Sequence, residues 1–141
     1  MGAWDVGPFE NDSAADFCNE LDDLSEHDRP AAIREALRFA VQEAGYLDVD
    51  DGSAAVAAAA IVAAQSPGGQ PIGSAYGPEQ PVPALPHDLR PLAVQALDRV
   101  TAENSELAGL WGEGEGEGNE WAGKWKEEIR RLREVLAAAS A

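Results

Sequence analysis

Cysteine, histidine, aromatic side chains and, near the N-terminus, positive charge are all scarce in this sequence, and each shortage excludes something. The single cysteine, Cys18, permits no intrachain disulfide and no multi-thiolate zinc site. Its neighbours Phe17 and Leu21 mark it as a small buried hydrophobe rather than a reactive thiol. The two histidines, His27 and His87, stand far apart without an i,i+4 partner, so neither zincin nor facial-triad spacing is present. No apolar run approaches the ~18 residues of a membrane span. The longest, Ala54 to Ala64, is mostly alanine and stops at Gln65. The start carries no basic flank followed by an apolar segment, and Val6 stands where a myristoylation signal needs Ser or Thr. The expected location is the cytoplasm. Nucleophile elbows, phosphate loops and dinucleotide fingerprints are missing, so no catalytic residues are assigned and no cofactor or metal is expected.

What the chain does have is negative charge. Against 10 basic side chains stand 26 acidic ones, a net charge of −16 at pH 7. Such a surface repels nucleic acid and anionic membranes and attracts basic proteins or cations. The charge is uneven: Met1 to Asp28 holds nine acids and no base, whereas Lys124, Lys126, Arg130, Arg131 and Arg133 gather near the C-terminus. The two ends are electrostatically complementary; relief of the N-terminal repulsion is expected from solvent screening first and from the basic C-terminal helix second.

Apolar spacing predicts helices almost throughout. Ala14, Phe17, Cys18, Leu21 and Leu24 recur at threes and fours on one face. Asn11, Asp12 or Ser13 can cap that helix, with Ser13 and Asp16 resembling a capping box. The same helix carries Asp12, Asp16, Glu20 and Asp23 as an acidic stripe, and like charges at i,i+4 cost ~0.2–0.5 kcal/mol per pair. A second helix should start near Pro30 with Asp28 or Ser25 as its cap, bury Ile33, Ala36, Leu37, Ala40, Val41 and Ala44, and end at Gly45. Tyr46 and Leu47 are expected to anchor the loop that follows.

The stretch "LDVDDGS" fails as a calcium loop, because counting from Asp48 places Ser53 and Ala59 where glycine and glutamate are required. Asp50, Asp51 or Ser53 is instead expected to cap a central, buried helix from Ala54 to Gln65. Residues 66–91 hold seven of the nine prolines and read as a long surface loop pegged by Ile72, Tyr76, Val82 and Leu85. Asp88 should cap a long helix bearing Leu89, Leu92, Ala93, Ala96, Leu97 and Val100, and the pattern resumes with Leu107, Leu110 and Trp111. Residues 112–118 form an acidic glycine connector, whose glutamates lack metal-binding geometry. A final helix repeats Trp121, Trp125, Ile129, Leu132 and Leu136 as an apolar stripe backed by Lys and Arg.

The opening "MGAWDVGPFENDSAADF", the central "AAAAIVAA" and the later "LAVQALDRVTAENSELAGLW" resemble a bacterial family defined only as a domain of unknown function, number 4259. Gly2, Trp4, Phe9, Asn11, Asp12, Ala14 and Asp16 fit its N-terminal pattern. Asp5 stands where the family usually has Gly, and Ala60 where many members place Glu. The resemblance brings no activity with it.

These readings converge on one all-α domain spanning residues 1–141, a compact bundle of five or six helices with the Pro/Gly-rich loop between the third and fourth. Trp4, Val6 and Phe9 should staple the N-terminal segment to the first helices. The candidate binding rim comprises Trp4, Asp5, Asn11, Asp12, Asp16 and Glu20, joined by Glu106 and Trp111. The leading functional expectation is a non-catalytic, immunity- or inhibitor-like module that binds a basic protein, as monomer or homodimer. The competing one is a divalent-cation binder or small hydrolase using the N-terminal carboxylates.

Overall fold

Alanine decides the centre of this molecule. The computed structural model describes residues 7–9, 11–70, 72, 77–80, 82–112 and 119–140, with 110–112, 119–122 and 140 described as backbone only. Its six helices are α1 (Asp12–Asp23), α2 (Arg29–Gln42), α3 (Val49–Ala64), α4 (Leu89–Val100), α5 (Glu106–Gly112) and α6 (Asn119–Ser140), with a short 3-10 turn at Glu26–Asp28. The fold is all-α. Every residue of α3 from Ala55 to Ala63 is buried, so this helix is apolar on all sides and forms the axis on which α1, α2, α4, α5 and α6 each pack. Around it close Phe9, Phe17, Leu21, Ile33, Leu37 and Leu97, then Trp125, Ile129, Leu132 and Leu136 from α6.

The N-terminus of α3 lies five residues before the position expected from the apolar run. Asp48, rather than Asp50, Asp51 or Ser53, is its cap, accepting from the Asp51 N–H at 2.9 Å. Glu106 accepts from the Val49 N–H, also at 2.9 Å, so two of the free amides at this end are satisfied. With those bonds made, the polar "VDDGS" segment winds into helix ahead of the alanines. A parallel bridge between Leu47 and Ser105 holds Glu106 in place, with the Leu47 N–H bonding Asn104 and the Glu106 N–H bonding Leu47.

Other helix ends also differ from expectation. Asn11 alone caps α1, accepting from the Ala14 N–H at 2.8 Å, while the Ser13 hydroxyl turns across to Asp50 instead of closing a capping box. Leu24 lies just past α1 and is 36% exposed, because the chain has left the helical face it would have continued. Asp28 and Asp88 occupy N-cap positions without capping; Asp28 accepts from Ser25, and Asp88 pairs bidentately with Arg34 at 2.9 and 3.0 Å. Gly45 does not terminate α2 in a left-handed turn: the helix stops at Gln42, and the Gly45 N–H bonds the Glu43 carboxylate. Of the two loop anchors expected beyond it, Leu47 is buried but Tyr46 is 63% exposed, and Ala44 is exposed too.

Three arginines close helix C-termini, where backbone carbonyls lack partners and the helix dipole is negative. Buried Arg29 donates to the carbonyls of Leu21 and Leu24 at the end of α1. Arg99 donates to Glu43 and Gly45 beyond α2 and to Asn104 beyond its own helix. Arg90 reaches Ala139 near the end of α6.

The proline-rich segment hangs from two side chains. Gln65 donates to the carbonyls of Val82 and Pro83 and accepts from the Leu85 N–H, and the Asp22 carboxylate accepts from the N–H groups of Glu79 and Gln80. Leu85 is buried and Val82 half-buried, but Ile72 is exposed; Tyr76 lies outside the described residues. Near its start Gly68 takes a left-handed φ of 84°, and a Cβ on Gly69 would overlap the Ala63 carbonyl oxygen.

Three of the five bases near the C-terminus are engaged by carboxylates of α4 and α6. Among the described ion pairs, Arg133 binds Asp98 of α4 at 2.7 Å, and Arg130 and Arg131 bind Glu127 and Glu128 within α6. The helix α6 packs on α3, α4 and α5, whereas α1 lies against α3.

Candidate functional site: an acidic trough across three helices

Because α1 and α2 pack on α3 rather than on each other, the first turns of α3 are left at the bottom of a gap between them. One end of this gap is a cleft of about 280 Å³ bounded by Ser13, Asp16, Glu20, Asp50 and Asp51. A recess of about 290 Å³ adjoins it, lined by Ala32, Glu35, Ala36 and Phe39 of α2. Phe17, Glu20, Asp51 and Ala54 belong to both, so the two form one trough. Each part is at the lower edge of the volumes that enclose small molecules, and both are open to solvent, the shape of a surface that receives another surface.

The local sequence explains each wall. Asp16 and Glu20 follow one another at i,i+4 on α1, opposite its buried Ala14, Cys18 and Leu21 stripe. Glu35 and Phe39 share the same spacing on α2, off the Ile33, Leu37 and Ala40 face that meets the core. Asp50 and Asp51 sit in the first turn of α3, where the positive end of the helix dipole favours carboxylates. The floor is apolar, with Phe17 buried and the Phe39 ring 46% exposed.

The trough's electrostatics are one-signed: five carboxylates line it and no basic side chain does. The Ser13 hydroxyl donates to Asp50 at 2.6 Å, tying α1 to α3. Partial burial holds the Asp51 carboxyl above its ordinary pKa, and the charges of Asp48, Asp50 and Glu43 push it the same way. Asp16, Glu20 and Glu35 make no hydrogen bond or ion pair among the described residues.

Of the rim residues expected from sequence, Asp16 and Glu20 are brought together here. Asn11 and Glu106 hold helix N-termini, at α1 and α3 respectively. Asp12 is exposed in the first turn of α1 and does not line the trough. Trp4 and Asp5 lie outside the described residues, as does the side chain of Trp111. Sequence reasoning missed Glu35, Phe39, Asp50 and Asp51 as site residues. A signal for Phe39 was present: it is a large aromatic off the apolar stripe of its helix.

Among the described residues, no group of three or more His, Cys, Asp or Glu side chains is arranged to hold a metal ion. None of the described helices is long and apolar enough to cross a membrane. Cys18 is 1% exposed, and burial, reinforced by the charge of Asp22, pushes its thiol up to about 12, which keeps it protonated.

Fold and site together define an all-α bundle, built on an alanine axis, with an acidic trough across its first three helices. The chain matches the family model DUF4259, a domain of unknown function, over residues 2–127, and belongs to that family. No curated protein and no solved structure matches it.

Proposed function

We propose that this protein is a non-catalytic cytoplasmic binding module that receives a basic protein surface in the trough, in the manner of an immunity protein or inhibitor. The observation that carries this reading is a trough with five carboxylates and no base, in a chain of net charge −16. Like charges crowded on one surface repel each other, and a cationic partner relieves that repulsion while the field speeds its approach. Such binding weakens steeply with salt, because the Debye length falls from ~10 Å at 0.1 M to ~3 Å at 1 M.

The test is affinity capture from the native lysate at low salt, elution with high salt, and identification by mass spectrometry. A basic protein that is released by salt, and that fails to bind the double variant Asp16→Lys, Glu20→Lys, is the expected result. Capture unaffected by both would overturn the reading. A melting temperature raised by Ca²⁺, Mg²⁺, Mn²⁺ or Zn²⁺ would instead favour cation binding, since a ligand of the native state alone must stabilise it.

A further inference from the structure

Resting on that reading, we propose that the trough seats an amphipathic helix of the basic partner, with an apolar side chain over Phe39 and Lys or Arg residues flanking it. Acidity alone would attract any polycation, but the trough is more than acidic. Its floor runs through Phe17, Ala32, Ala36 and Ala54 to Phe39, and the phenyl ring, nearly half exposed, is among the few large apolar side chains left uncovered on the described surface. An aromatic ring held at the surface of a helix gains most from a partner that removes it from water.

The carboxylates are placed to accompany such a contact. Glu35 precedes Phe39 by one turn on α2, Glu20 faces it from α1, and Asp51 closes the end at α3, so charge surrounds the ring on three elements. A segment filling this space therefore needs an apolar anchor with cations about one helical turn to either side, a pattern that a helix presents at i,i+3 and i,i+4. A gap between two helices over a third is also the geometry of helix-in-groove recognition. Cations near the exposed ring add attraction to its π face. None of the trough's Asp16, Glu20 or Glu35 is engaged by a base of this chain, so the charges stand ready for a partner's.

The experiment measures binding of a short, acetylated peptide of Leu, Ala and Arg, written so that a helix would bring a leucine stripe between arginines. Controls are the same composition scrambled and an oligo-arginine of equal charge, titrated by fluorescence anisotropy at low ionic strength. The amphipathic peptide should bind about tenfold more tightly than the scrambled one, and Phe39→Ala should remove that advantage while leaving oligo-arginine binding unchanged. Phe39 is outside the core, so the variant should retain the wild-type circular dichroism. Glu35→Lys should weaken the amphipathic peptide more than Glu134→Lys, which makes the same charge change on α6, away from the trough. Equal affinity for the amphipathic and scrambled peptides, or an amphipathic affinity untouched by Phe39→Ala, would overturn the helix seat while leaving the basic-partner reading standing. Failure of every cationic peptide to bind would overturn both.

Discussion

At the scale of single residues, Arg29 shows how the few bases of this chain are used. It is buried, and its guanidinium bridges the carbonyls of Leu21 and Leu24, in a chain that has placed nine acids before it. Replacing it with Met preserves the apolar stem but removes the charged donor from the Leu24 carbonyl and from the negative end of α1, while Leu21 keeps the bond from the Leu24 N–H. Hydrogen bonds to charged groups contribute about 1.5–3 kcal/mol, so Arg29→Met should lower the urea midpoint by a corresponding amount with little change in slope. Asp51 illustrates the opposite case, a charge that the fold disfavours. Its folded pKa is raised above the unfolded value, so the native state keeps this proton to higher pH than the unfolded chain does. The cost to stability is fully present above the folded pKa and vanishes below the unfolded one. Asp51→Asn should therefore raise Tm at pH 7, with the gain shrinking as pH falls through the raised pKa toward the ordinary aspartate range; calorimetry across that series checks it.

At the scale of elements, legibility in the sequence depended on whether the cause of a helix was local. The amphipathic stripes of α1, α2, α4 and α6 are written in threes and fours, and most of the residues they named are in the core or packed against it, with Leu24 and Ala44 exposed and the Trp121 side chain outside the described residues. The start of α3 has one local signal, the Asp48 cap, and one the sequence hides, since the residue that satisfies the Val49 amide is Glu106, on α5. The arginine clamps at helix C-termini were hidden for the same reason, their partners being carbonyls that the fold alone brings near. Two of the trough's five carboxylates were visible as the α1 stripe, but Glu35, Phe39, Asp50 and Asp51 join them only because α2 and the head of α3 flank the same gap. The Glu106 contact is separable from charge. Glu106→Gln keeps an acceptor for the Val49 N–H and should retain most of the stability, whereas Glu106→Ala should cost about 1 kcal/mol, the ordinary scale of a lost N-terminal cap. Hydrogen exchange should then quicken first at the amides of residues 49–52.

At the scale of the whole molecule, seven of the ten bases are engaged by groups of this chain. Arg29, Arg90 and Arg99 hold backbone carbonyls, and Arg34, Arg130, Arg131 and Arg133 hold carboxylates of this chain. The net charge of −16 is thereby concentrated on surfaces such as the trough, where no base of the chain answers it.

The alanine axis carries a calorimetric consequence. Alanine has no side-chain rotamers to lose on burial, so α3 is ordered at the expense of backbone entropy almost alone. The same small side chains expose little apolar surface when the chain unfolds, and the heat-capacity increment follows that surface. Differential scanning calorimetry should place it below the ~12–15 cal/mol/K per residue of ordinary globular proteins. With a small increment the stability curve is less strongly curved, so the fold should weaken little on cooling.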